Sequence, residues 1–420
     1  MRIRGTQAAR WRHVPAGMRD VPADEMVRRR WLEGRWRQLF TRWGYAEIET
    51  PLLEFLETFL QGAGPGVGDR LLKLVDAGGE VLALRPEMTV PLARYAATRL
   101  LPADGRPWRL AYVAAVFRGQ ERGSGRERQF TQAGVELIGD GSLAADAEVI
   151  ALAAEALRAA GVEQATVSVG HAGFLRGVLA TLPAAAADAA RDLLYRRAFA
   201  ELERIVPPGP AREALRAVPG LRGAAALERA AELATTAESR EALVTLDAVL
   251  TALAPYDLDV RLEVDLGLIR DFDYYTGVVF EAHGPRAGRP LLGGGRYDGL
   301  LARFGHPAPA TGFALGVERV LETARVVPQA PPQVVVRYDG GDTYARAVRA
   351  AARLREAGAV AVLAAGRQPA SLDAPAFQVW ITEDGLRVAG DRHPVPATLE
   401  ALCAQVRAMR RDGMTEWRDG

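Results

Sequence analysis

A chain of 420 residues, 49% hydrophobic and 25% charged, exceeds one ordinary core and predicts two or three domains of a soluble globular protein. Fifty-three Lys and Arg against fifty-two Asp and Glu leave a net charge of +1, which gives no global electrostatic pull toward nucleic acid. There is no run of eighteen apolar residues for a membrane span, no secretory core in the basic opening MRIRGTQAARWR, and only Cys403 with five scattered histidines for disulfide or metal chemistry; the expectation is a cytoplasmic chain with no metal and no cofactor.

Residues 24–43 place Met26, Trp31, Trp36, Leu39 and Phe40 at helical spacing, and Trp43-Gly44-Tyr45 turns that helix into the extended AEIETPLLE. LLKLVDAGGEVLALRP predicts a hairpin turning at Gly78-Gly79. WRLAYVAAVFRG and RQFTQAGVELIG predict two further strands around a polar loop, so an antiparallel sheet is expected. Residues 144–161 read as an alanine-rich helix and ATVSVGHAG as a short strand. From 176 to 256 the composition turns to Ala, Leu, Arg and Glu, interrupted at Pro207-Pro208-Gly209-Pro210 and Pro219-Gly220, which predicts a helical insertion.

The sheet resumes at VRLEVDLGLI, where Val260, Leu262, Val264 and Leu266 alternate with Arg261, Glu263 and Asp265. LIRDFDYYTGVVFEAHG reads as a strand, which sends Tyr274 and Tyr275 to opposite faces. TGFALGVERVLETA reads as a helix packing Phe313, Leu315 and Val320. Pro328, Pro331 and Pro332 mark a linker. Beyond it QVVVRYD, DTYARAVRAAARLREAG, AVAVLAAG, FQVWITEDGLRVAG and TLEALCAQVRAMRRD read as strand, helix, strand, hairpin and helix, a small α/β module with its own core. The expected fold class is α+β, with a first domain split into 1–175 and 257–327 by the insertion at 176–256, and the module at 333–420.

Several polar groups sit where strands begin or end. Singly they read blandly: Arg270 with Asp273 as an ion pair, Glu136 as a solvated strand residue, Gly293 to Gly295 as a tight turn. Together LRPEMT, FRGQERGSGRERQFTQAGVE and GGGRYDGL point to one polar pocket at converging strand ends.

TPLLE (50–54), the arginine-bearing segment 117–139 and GFALGVERV (312–320) resemble, in order, the three signature motifs of class II aminoacyl-tRNA synthetases. DYYTGVVFE and GGGRYDGL are similar to the histidine-recognising segments of histidyl-tRNA synthetase, and the resemblance spans roughly residues 14 to 325. It implies an antiparallel sheet of about six or seven strands flanked by helices, a dimer formed partly through TPLLE, and a pocket for free histidine. By the same resemblance Glu87, Thr89 and Gln132 hold the ammonium, Arg118 and Arg270 the carboxylate, and Glu136 and Tyr275 the two ring nitrogens, while Tyr274 and Tyr297 line the pocket. The chemistry agrees: the planar fork of arginine suits a carboxylate, and a glutamate against one imidazole nitrogen favours the tautomer or charge state that donates to it.

Three departures bear on activity. Phe117-Arg118 is followed by GQERGSG, so Gln120, Glu121 and Arg122 stand where the synthetase pattern has Glu, Arg and Pro; Glu121 reverses the local charge beside a triphosphate, although Arg126, Arg128 and Arg319 are retained. LRPEMTVPLAR carries Met88 in place of glycine and, with LKLVDAGGEVLAL and QAGVELIG, resembles a paralogous family without charging activity, the regulatory subunits of ATP phosphoribosyltransferase. The C-terminal module resembles a degenerate anticodon-binding domain: RQPASLDAPA, with two prolines in ten residues, does not support the expected helix, and WITEDG attracts phosphate weakly. The resemblance therefore implies a non-catalytic, histidine-binding chain that partners the short-form catalytic ATP phosphoribosyltransferase in a hetero-octamer for the first step of histidine biosynthesis, with feedback inhibition by L-histidine. Neither membrane nor tRNA is an expected partner. The alternative is an active histidyl-tRNA synthetase, and a third reading is a sensor of uncharged tRNA.

Overall fold

The structure, a computed structural model, describes residues 12–63, 65–104, 106–119, 127–269, 274–285, 287–324, 331–367, 372, 375–390 and 395–415. Gln120, Glu121, Arg122, Arg126, Arg270, Asp273 and Pro328 lie outside the described residues, as do residues 1–11 and most of RQPASLDAPA. The chain divides into two units, Met1–Val326 and Val327–Gly420.

In the first unit the amphipathic run forms α1 (Ala23–Arg42), which gives way to Gly44 at a φ of +81°, a left-handed position that glycine adopts without strain. Then come β1 (Ala46–Glu47), β2 (Leu53–Phe55), α2 (Leu56–Ala63), the hairpin β3 (Lys73–Val75) and β4 (Val81–Leu84), and α3 (Thr89–Tyr95). The long strands β5 (Trp108–Phe117) and β6 (Gln129–Ile138) precede α4 (Leu143–Ala159) and β7 (Thr166–His171). The helices α5 (Ala172–Leu179), α6 (Ala184–Tyr195), α7 (Phe199–Ile205), α8 (Pro210–Ala217), α9 (Ala226–Leu233) and α10 (Ala237–Leu253) follow. The unit closes with β8 (Arg261–Val264), β9 (Val278–His283), β10 (Leu292–Arg296), β11 (Ala310–Gly316) and α11 (Val317–Thr323).

These strands build an eight-stranded sheet ordered β1-β5-β6-β11-β10-β9-β7-β8. The pairings from β5 to β7 are antiparallel, and the short edge strands β1 and β8 add on in parallel, which accounts for the excess over six or seven. Side chains alternate across it as the pleat requires. On β6, Ala133, Val135 and Leu137 enter the larger core, where Trp36 and Phe40 of α1, the apolar face of α4 and buried residues of α5 to α10 also meet. The opposite face of the sheet packs a second core around Tyr112, Val116, Tyr274 and Tyr297. A separate three-stranded sheet, β2-β4-β3, holds the TPLLE strand. There Phe55 lies opposite Leu82 and Leu82 opposite Leu74, with Leu53 opposite Leu84, so one apolar face includes the exposed Leu53, Phe55 and Leu74. Glu54 points to the other face and pairs with Arg94 of α3 at 2.7 Å.

Four expectations are corrected. TGFALGVERVLETA is a strand and then a helix: Phe313 and Leu315 enter the larger core while Gly312, Ala314 and Gly316 take the other face, a period of two that central pairing between β6 and β10 enforces. The strand in DYYTGVVFE starts only at Val278, so Tyr274 and Tyr275 precede it. Gly293 to Gly295 belong to β10 rather than a turn; a Cβ on Gly294 would stand 2.2 Å from the Gly312 carbonyl. In VRLEVDLGLI, β8 is a four-residue edge strand, and Leu262 remains 37% exposed.

The second unit contains β12 (Gln333–Tyr338), α12 (Gly341–Glu356), β13 (Val360–Ala365), β14 (Phe377–Thr382), β15 (Gly385–Ala389) and α13 (Leu399–Thr415). Its sheet runs β13-β12-β14-β15, with β12 parallel to both neighbours. Val334, Val336, Phe377 and Val379 pack against Ala347, Leu354, Leu402 and Val406. Among the described residues no helix is long and apolar enough to cross a membrane.

Candidate ligand pocket

The pocket begins with the period of β6. Gln132, Gly134 and Glu136 share the face that looks away from α1 and α4, and across the ladder Gly316 and Gly312 of β11 lie opposite Gln132 and Glu136. Both opposing positions lack a side chain, which leaves space above the two polar groups. At Gly312 the requirement is strict, because a Cβ there would stand 1.8 Å from Glu136 Oε2 and 2.5 Å from the Val135 carbonyl. Gly312→Ala is therefore expected to displace the Glu136 carboxyl and to destabilise the fold by roughly 1–3 kcal/mol through overpacking. Thermal unfolding checks this, and an unchanged midpoint would contradict it.

LRPEMT brings in the second wall. Glu87 accepts the backbone N–H groups of Thr89 at 2.6 Å and Val90 at 3.0 Å, satisfying donors at the start of α3. Thr89 is thereby turned so that its hydroxyl donates to Glu136 Oε1 at 2.8 Å. The Tyr297 hydroxyl donates to the other oxygen, Oε2. Glu136 is only 1% exposed, and burial pushes its carboxyl up to about 8, against the opposing pull of the two hydroxyl donors. Burial also raises Glu87, offset by its two backbone donors and by Arg118.

Three tyrosines close the opposite side. Tyr274 meets Tyr297 edge-on at 5.7 Å and Tyr275 at a tilt at 4.9 Å, and burial raises the hydroxyls of Tyr274 and Tyr297. Arg118, at the end of β5, donates from Nε to the Pro86 carbonyl at 3.0 Å and lies over the Phe130 ring at 5.1 Å. Gln132 Oε1 is buried and accepts no hydrogen bond from the protein, which leaves it able to accept one from a bound molecule. The cavity volume is about 80 Å³, several times the ~10–15 Å³ one water needs.

Glu87, Thr89, Arg118, Gln132, Glu136, Tyr274, Tyr275 and Tyr297 thus all line one cavity, while Arg270 lies outside the described residues. Tyr274 and Tyr275 share it because neither is in the strand that would have sent them to opposite faces. Arg319 also lines it, and its guanidinium donates to the Pro290 carbonyl at 3.0 Å. Gly312 and Phe130 were not anticipated; the alternation Gly312-Ala314-Gly316 is the signal that marks a bare strand face. Carboxyls, hydroxyls, an amide acceptor and two guanidinium groups around so small a space suit a small zwitterion. Among the described residues no group of three or more His, Cys, Asp or Glu could hold a metal ion.

Residues 17–320 match the family model described as histidyl-tRNA synthetase. The ATP phosphoribosyltransferase regulatory subunit of Moorella thermoacetica is 45% identical over 315 residues, 73% of this chain and 81% of that protein. That of Desulforamulus reducens is 36% identical over 373 residues, covering 86% and 92%. A crystal structure described as an ATP phosphoribosyltransferase regulatory subunit/histidyl-tRNA synthetase from Bacillus halodurans matches with a TM-score of 0.77 at 34% identity, over 86% of this chain and 94% of that one. Histidyl-tRNA synthetase from Nostoc sp. PCC 7120, at 20% identity and a TM-score of 0.73, shares the fold. With this sheet, this pocket and these relatives, the chain belongs to the ATP phosphoribosyltransferase regulatory subunits, a family built on the histidyl-tRNA synthetase fold.

Proposed function

We propose that this chain completes a short-form catalytic ATP phosphoribosyltransferase for the first step of histidine biosynthesis, and that its cavity binds L-histidine to switch the partner off. The observation that carries the reading is a buried carboxyl, Glu136, held from both sides by Thr89 and Tyr297 beside the unsatisfied acceptor of Gln132. In this reading Gln132, Glu87 and Thr89 receive the ammonium, and Arg118 and Arg270 the carboxylate. Glu136 and Tyr275 meet the ring nitrogens. A site with both ring partners buried discriminates against amino acids lacking those nitrogens, by up to ~10⁴-fold. Feedback then follows from linkage: histidine shifts the assembly toward whichever state binds it more tightly.

Self-association belongs to the same proposal. The apolar face of β2-β4-β3, with Phe55 55% exposed, supports a dimer through the TPLLE segment. Four such chains with four catalytic chains form the proposed cytoplasmic hetero-octamer, and the second unit serves as a degenerate anticodon-binding domain with little use for tRNA. Calorimetry of L-histidine with the wild-type chain and with Arg270→Ala tests the pocket. The variant should lose histidine binding and histidine sensitivity yet remain assembled and active; unchanged binding would remove Arg270 from the site.

A further inference from the structure

The residue before Tyr297 is buried deeply and bonded lavishly for one that never touches the cavity. Arg296 Nε meets the Asp146 carboxylate at 2.9 Å, Nη1 reaches Asp298 Oδ1 at 3.1 Å and the Asp140 carbonyl at 3.2 Å, and Nη2 donates to the Ser142 carbonyl at 3.2 Å. Asp146 stands in the first turn of α4, where the helix dipole favours a carboxylate. Asp298 extends the clamp: its Oδ1 accepts from the Ala310 backbone at 3.0 Å and its own N–H donates to Thr276 Oγ1 at 2.9 Å. The Thr276 N–H in turn donates to the Arg296 carbonyl at 2.8 Å, which ties the segment after Tyr274 and Tyr275 to the end of β10.

A buried ion pair of this kind adds little net stability over well-packed apolar residues, but its directional bonds fix geometry. The geometry fixed here is that of the next residue. Arg296, the last residue of β10, is held against Asp146 of α4, and Tyr297, the first residue past the strand, lines the cavity, so pinning one sets the reach of the other. We propose that Arg296, Asp146 and Asp298 are positioning residues for the pocket, holding Tyr297 where its hydroxyl can orient the Glu136 carboxyl toward a ligand ring nitrogen. The ligand arm of this inference rests on the histidine reading above; the geometric arm does not.

The test is a double-mutant cycle read by calorimetry with L-histidine on the full chain. Asp146→Asn keeps the shape and weakens the clamp, and should lower histidine affinity on the order of tenfold. In a Tyr297→Phe background, where there is no hydroxyl left to position, the same change should have an effect of less than about twofold. Equal losses in both backgrounds would mean a purely structural role and overturn the proposal. If Asp146→Asn fails to fold, Asp298→Asn, at a side chain 44% exposed, replaces it in the cycle with the same non-additivity expected. A crystal structure of the ligand-free variant reads the geometry directly. The Tyr297 hydroxyl should be displaced from Glu136, and its retention would overturn the proposal whether or not histidine is the ligand. No heat with the wild-type chain would instead defeat the histidine reading.

Discussion

Glu136→Gln is expected to weaken L-histidine binding on the order of a hundredfold and, at the same time, to stabilise the empty protein at alkaline pH. The first effect comes from replacing one carboxyl oxygen with an amide nitrogen that can only donate, which removes an acceptor for the ligand ring. The second comes from burial, which raises the Glu136 carboxyl to about 8 from an ordinary value of 4.5. Between those values the folded chain keeps a proton that the unfolded chain has released. The resulting stability is fully present below the unfolded value and is lost as pH rises through about 8. The loss is at most about 5 kcal/mol. Glutamine does not titrate, so the variant should lack this decline. Urea unfolding of both proteins at pH 5 and pH 8.5 measures it; parallel pH profiles would contradict the environment described for Glu136.

Phe55→Asp is expected to dissociate the proposed dimer, weakening self-association by at least about a hundredfold. The residue is exposed in the single chain and lies in register with Leu82, on a face with Leu53, Leu74 and Leu84. A carboxylate there costs little in an isolated chain but would be desolvated against a second apolar face. Chain stability should therefore shift by no more than about 0.5 kcal/mol. Sedimentation equilibrium reads the first effect and urea unfolding the second. A dimer as tight as that of the wild-type chain would place self-association on another surface.

The parts of the fold most readable from sequence were those where one local pattern has one meaning. β5, β6 and the β3-β4 hairpin announce themselves by alternation and by Gly78-Gly79, and α1 by its aromatic and aliphatic stripe. β11 was obscured because Gly312, Ala314 and Gly316 remove the polar half of its alternation, leaving Phe313, Leu315 and Val320 to suggest a helix. The polar groups of the pocket were visible as charged residues and glycines at strand ends. Their wiring was not, because it is non-local: Thr89 meets Glu136 across 47 positions and Arg296 meets Asp146 across 150. Spacing in one sequence carries no information about such pairs until the sheet order is known.

The most direct measurement assays the short catalytic chain alone, with this chain, and with this chain under rising L-histidine. Phosphoribosyl transfer should appear only with both chains and should fall as histidine saturates the regulatory subunit. Activity indifferent to histidine, or histidine-dependent exchange of pyrophosphate into ATP by this chain alone, would contradict a regulatory pocket.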